Sequence, residues 1–185
     1  MDAKQSQFAI KLLPSMADLA FLMPIVFLFG RMQGLKTLLS DCDTGWHIRT
    51  GEWIMAHRGV PTHDIFSYSK PDGAWYAWEW LSDVIWAFLN NHGGLASVAC
   101  FAILLLAVTF ALLFQLVRRK SNAIVAIVVT MLAATASSVH WLARPHLFTL
   151  FFLVLFYGAL ERVRDGNTLK SGIPYLAVQI GRAHV

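Results

Sequence analysis

The chain has 185 residues, 57% of them hydrophobic and 14% charged, with a formal net charge of +4. A soluble domain carries about 25% charged residues, so this composition excludes an ordinary globular protein and points to the membrane class. No Lys/Arg-rich face accompanies the basic excess, which argues against nucleic acid as a partner. Cys42 and Cys100 make no disulfide framework.

Residues 1–11 are polar, with Lys4 and Lys11. The apolar run from Leu12 to Gly30 predicts a first transmembrane helix, with Asp18 near its inner end and a kink at Pro24. It lacks a following small-x-small cleavage site, so it is read as a retained span rather than a signal peptide. Residues 31–92 form a long polar and aromatic loop. It holds seven of the eleven acidic residues and six of the seven tryptophans. Tryptophan favours the membrane–water interface, so the loop is expected to lie along the bilayer surface. Within it, Thr44 to His57 and Trp75 to Asn91 predict two interfacial amphipathic helices.

Leu95 to Val117 is 23 uncharged residues, enough to cross a bilayer. Arg118-Arg119-Lys120 ends it. Ala123 to Val139 is a second such run, rich in small residues that let helix backbones approach in lipid. Trp141 to His146 is a tight connection, and a further span covers about 145–161 with Pro145 in its first turn. Another hydrophobic segment begins near Ile173. Ile180 to Val185 resembles the translation of a sequencing-adapter read-through, so 1–179 is expected to be the N-terminal part of a longer chain. The expected fold class is all-α, a polytopic transmembrane bundle with a long first loop. The basic clusters at 4–11, 118–120 and 162–170 predict a cytoplasmic N-terminus. Loop 31–92 and the 140–146 turn are then outside.

The groups able to do chemistry concentrate in that loop. Asp41 and Asp43 are two apart, point the same way in extended chain, and suit a shared divalent metal. Either Asp, or Ser40, serves equally as the N-cap of the following helix. On that helix Asp43, His47 and Gly51 share a face, where Gly51 is expected to leave open space beside the carboxylate and imidazole. Trp46, Thr50, Trp53 and Ile54 make the interfacial face. His57, and His63-Asp64 after Pro61, are weaker ligand candidates, and Asp72 belongs to a Pro-Asp-Gly turn. On the second helix Trp78, Leu81, Ile85 and Leu89 form the expected apolar stripe. Glu79, Ser82 and Asp83 form the polar one, with Asp83 facing water. Arg144 and His146 flank Pro145 on the outer side. Arg144 suits either a headgroup anchor or a bidentate phosphate contact, and His146 adds a donor. There is no phosphate-binding Gly-rich loop, no His-Glu-x-x-His and no Gly-x-Ser-x-Gly.

Four segments carry a resemblance: Asp-x-Asp-Thr-Gly-Trp-His-Ile-Arg-Thr-Gly-Glu-Trp-Ile at 41–54, Pro-x-x-Asp-x-Phe-Ser at 61–67, Trp-x-x-x-Glu-Trp-Leu at 75–81 and Ala-Arg-Pro-His-Leu-Phe at 143–148. Together they resemble a group of uncharacterised bacterial polytopic membrane proteins, similar in layout to the GT-C membrane glycosyltransferases. The resemblance implies a bacterial inner-membrane location and sugar transfer from a polyprenyl-phosphate-linked donor. It implies Asp41 or Asp43 as general base or as ligand of a divalent metal, Mg or Mn. Arg144 would hold the donor phosphate, while His47 and Glu79 would orient the acceptor or metal. Two other classes compete: a transporter or lipid-handling protein whose polar groups line a path, and a non-catalytic scaffold whose aromatic loop binds a partner.

Overall fold

The computed structural model describes residues 14–70 and 73–166, and among these the regular elements are helices, with one isolated bridge between His63 and Ala74. In chain order the helices are α1 (Met16–Arg31), α2 (Leu35–Leu38), α3 (Asp43–His57), α4 (Trp80–Arg118), α5 (Ala123–Ser137) and α6 (His146–Arg164), with a 3-10 turn at Ser138–His140. Three of these, α4, α5 with its 3-10 extension, and α6, are long and apolar enough to cross a bilayer. That is the pattern of a multi-pass membrane protein. The expected segment from Ile173 and the tail at 180–185 lie outside the described residues, as do Pro71 and Asp72 of the expected turn.

The first helix begins at Met16 rather than Leu12. Ser15 is its N-cap and Asp18 its capping-box partner: Asp18 accepts from the Ser15 backbone N–H at 2.8 Å. The carboxylate near the inner end of this segment therefore closes the helix start. Pro24 lies inside the helix and is buried with Ala20 and Leu28 on the face turned to the bundle.

α4 is the axis of the fold and touches α1, α2, α3, α5 and α6. Here the structure corrects the sequence reading. The second loop helix and the following span are one helix of 39 residues, bent at Gly94 (φ 64°, ψ −166°). At about 1.5 Å per residue it is far longer than the roughly 30 Å hydrocarbon core. The uncharged part after Gly94 is long enough to cross by itself, so crossing does not require 80–93. Gly94 occupies a backbone conformation that an L-residue resists. Ser97 secures the bend by donating to Gly94 O at 2.8 Å and to Leu89 O.

Side chains sort accordingly. Ala99, Ala102, Leu106 and Phe110 of α4 meet Ala134 of α5, Leu147 of α6 and Leu28 of α1 in one core. On α5 the buried residues are Ala126, Thr130 and Ala134, one stripe of small side chains at four-residue spacing, as close packing in lipid requires. The opposite faces expose large apolar groups: Val26 and Phe29, Leu104, Ile124 and Leu132, Leu153. Such a belt suits a hydrocarbon environment.

The two ends of the bundle differ. At one, Lys120 pairs with Asp165 at 2.8 Å and Arg164 with Glu161 at 2.9 Å, joining the α4–α5 turn to the end of α6. At the other, residues 38–43 meet the 138–145 connection through Leu38, Asp41 and Asp43.

Candidate functional site

The site end is built on Trp141 and Leu38. Trp141 is fully buried, packed edge-to-face on Phe27 and against Phe110, each with ring centroids 5.6 Å apart. Its indole N–H donates to Ser137 Oγ at 3.2 Å. This anchors the connection so that the Ala143 N–H donates to Leu38 O at 2.8 Å. Leu38 itself is fully buried and closes α2, three residues before Asp41. Arg144 is thereby delivered to the start of α3.

There its guanidinium takes both carboxylates. Nη1 donates to Asp41 Oδ2 at 2.8 Å, and Nη2 pairs with Asp43 Oδ2. The other oxygen of Asp41 accepts the Asp43 N–H at 2.9 Å. So none of Ser40, Asp41 and Asp43 is the N-cap that the sequence suggested; Asp41 lies one residue before it, with one oxygen on the first helical N–H and the other on Arg144. Cys42 holds the N-cap position without a side-chain capping bond, its Sγ donating to Asp43 Oδ1 at 3.8 Å. Asp43 begins α3, where the helix dipole favours an anion. Asp41, Cys42 and Asp43 offer ligand atoms within 4.8 Å of one another. A divalent cation at the two carboxylates would have to displace Arg144.

Asp43, Trp46, His47, Glu79, Arg144, Pro145 and His146 line one open pocket of about 370 Å³. Of the six residues singled out from sequence, five therefore share a pocket, and the sixth, Asp41, holds Arg144 from behind. They come from three separate stretches, 41–47, 79 and 144–146. His146 also stacks nearly parallel on His140, with centroids 6.0 Å apart. The weaker candidates stay away. His57 stacks on Trp53 and bonds the Trp53 carbonyl at 2.9 Å. Asp64 is occupied by a turn, accepting from the Phe66 and Ser67 N–H groups at 2.9 Å each. His63 contacts Thr62 Oγ1 at 3.0 Å and bridges to Ala74.

Three expectations are overturned at the α3–α4 contact. Asp83 does not face water: it is 2% exposed, and its Oδ1 lies 2.7 Å from His47 Nδ1. Gly51 opens no space, since a Cβ there would meet the Asp83 carbonyl oxygen at 2.0 Å and Ala87 Cβ at 2.7 Å. Thr50 and Ile54, expected on the interfacial face, are buried with Thr44 and Ile48 against α4. The expected stripe on 75–91 is likewise displaced. Trp78 and Leu81 are exposed, and the buried positions are Asp83, Trp86 and Ala87. The reason is common to all: α3 crosses α4 backbone to backbone at Gly51, and this contact decides which face turns inward. Burial pushes the Asp83 carboxyl above its ordinary range, the hydrogen bond and charge of His47 pull it back, and the nearby Glu79 charge adds to the rise.

Asp83 is the site residue that sequence reasoning missed. The available signal was the pair of small residues, Gly51 on one helix and Ala87 on the other, which marks a close crossing. Trp46, assigned to the interfacial face, also belongs to the pocket, and it packs outward against Phe66 and Trp75. Comparison with family models, with curated proteins and with solved structures finds no match for this chain.

Proposed function

We propose that this is a membrane glycosyltransferase of GT-C type, moving a sugar from a polyprenyl-phosphate-linked donor to an acceptor at the outer face of a bacterial inner membrane. The observation carrying this reading is the convergence of Asp43, His47, Glu79, Arg144 and His146 on one open pocket at the end of a membrane bundle. Sugar transfer needs a group to take the acceptor proton and a cation beside the leaving phosphate. The pocket offers carboxylates and imidazoles for the first and Arg144 for the second. Trp46 adds an aromatic face suited to the apolar side of a sugar ring.

The orientation we infer rests on the short connections, which outvote Arg31 and Lys36 at the pocket end. Arg118, Arg119, Lys120, Arg162 and Arg164 all fall at the end away from the pocket, which the positive-inside rule assigns to the cytoplasm. The pocket then opens where lipid-linked donors, rather than nucleotide sugars, are at hand. A divalent ion, Mg or Mn, would compete with Arg144 for Asp41 and Asp43, so the roles are given to the chain's own groups.

The test uses purified protein in lipid vesicles with a radiolabelled polyprenyl-phosphate-linked hexose and a membrane extract as acceptor source. Wild-type protein is expected to transfer label. Asp43→Asn and Arg144→Ala are expected to lose at least about tenfold in rate at unchanged membrane level. Wild-type protein that never transfers label, or both variants transferring at full rate, rejects the reading.

A further inference from the structure

The two aspartates that sequence singles out as candidate bases are both committed to Arg144. Either carboxylate would have to give up its contact with the guanidinium to reach an acceptor hydroxyl through the same oxygen. Of the other groups lining the pocket that can accept a proton, Glu79, His47 and His146, His47 has a buried carboxylate behind it. His47 lines the pocket, and its Nδ1 lies 2.7 Å from the carboxylate of Asp83, 36 residues away on another helix. With Nδ1 engaged, Nε2 is the ring nitrogen left for the pocket. A buried carboxylate behind an imidazole selects its tautomer and stabilises the imidazolium formed when it takes a proton.

We propose that His47 is the general base of this pocket, accepting through Nε2, and that Asp83 is its positioning residue. This role rests on the transfer reading, and the step begins at the acceptor. The acceptor hydroxyl gives its proton to His47 Nε2. The oxygen's electron pair forms the bond to the anomeric carbon. The bond from that carbon to the donor phosphate breaks, and its pair leaves with the phosphate oxygen beside Arg144. The imidazolium, held against Asp83, then releases the proton to water. The charged and titratable groups around His47 are Asp43 on its own helix, Glu79 and Asp83 at the start of α4, Arg144 on the connection and His146 at the start of α6. Gly51, one turn beyond His47, lets the helices approach closely enough for the pair to form.

The test has one arm independent of activity. Nitrogen-15 histidine spectra of the full chain in nanodiscs, with His47 assigned by its absence in His47→Gln, report which ring nitrogen carries the proton. The proposal expects Nδ1–H with Nε2 unprotonated, and a mixture of tautomers in Asp83→Asn. An Nε2–H tautomer in the wild-type protein overturns it, because that nitrogen then has no lone pair to offer. In the kinetic arm, with the polyprenyl-phosphate-linked hexose, His47→Ala should lower kcat by on the order of 10²–10⁴ with KM little changed, and added imidazole should restore part of the rate. A wild-type rate in His47→Ala overturns the base while leaving the transfer reading intact. A wild-type protein that transfers nothing overturns the transfer reading, and the spectra still decide whether His47 can accept a proton.

Discussion

Arg144 lies between two carboxylates that would otherwise repel each other. Its pairs with Asp41 and Asp43 are neither fully exposed nor dry, with about a quarter of the Arg144 and Asp41 side chains accessible. Exposed pairs contribute at most about 1 kcal/mol, and a partly shielded, doubly bonded guanidinium should reach the top of that range. A double-mutant cycle of Arg144→Ala and Asp41→Asn, followed by thermal unfolding in detergent, should return a coupling of about 1 kcal/mol. A coupling near zero would mean that the guanidinium does not organise these carboxylates. Arg144→Lys should recover little of it, because an ammonium cannot present two parallel N–H groups to two acceptors.

Between elements, the decisive contact is α3 on α4. A methyl at Gly51 would overlap the Asp83 carbonyl, which is backbone and cannot swing aside. Gly51→Ala should therefore push the helices apart, at a cost of about 1–3 kcal/mol. It should also break the His47–Asp83 pair, visible as loss of the Nδ1–H resonance. Gly45 is the control. It lies on the same helix with nothing near its absent side chain, so Gly45→Ala should be neutral or stabilising by up to about 1 kcal/mol. Equal losses in both would place the effect in helix propensity instead of packing. Trp141 is the other joint. Trp141→Ala empties a fully enclosed site beside Phe27 and Phe110, and should cost on the order of 3–5 kcal/mol. Because Trp141 steers Ala143 onto Leu38, the same variant should release Arg144 from Asp41, and the Arg144–Asp41 coupling should fall with it.

For the whole molecule, the question is which end faces out. Tyr68 is fully exposed in the segment between α3 and α4. A single cysteine there, with Cys42→Ala and Cys100→Ala, should react with a membrane-impermeant maleimide in intact spheroplasts. Reaction only after lysis would put the pocket in the cytoplasm, and the lipid-linked donor would no longer be its natural substrate.

Much of this architecture was legible in the residues. An uncharged run of bilayer length forms a helix wherever lipid leaves the backbone no other partner, so the spans after residue 95 stand almost where composition puts them. Asp-x-Asp, His47, Glu79, Arg144 and His146 were recognisable as polar groups in apolar company, and each line or buttress the pocket. What sequence could not decide was phase and reach. Whether Asp83 meets water or His47 depends on which face of α4 meets α3, and that is set by a backbone contact at Gly51 between segments 32 residues apart. Whether the second loop helix ends before the membrane or runs into it depends on one glycine bend, Gly94, whose local chemistry permits either. Periodicity shows that a helix has a face; only the neighbour it packs against determines which face that is.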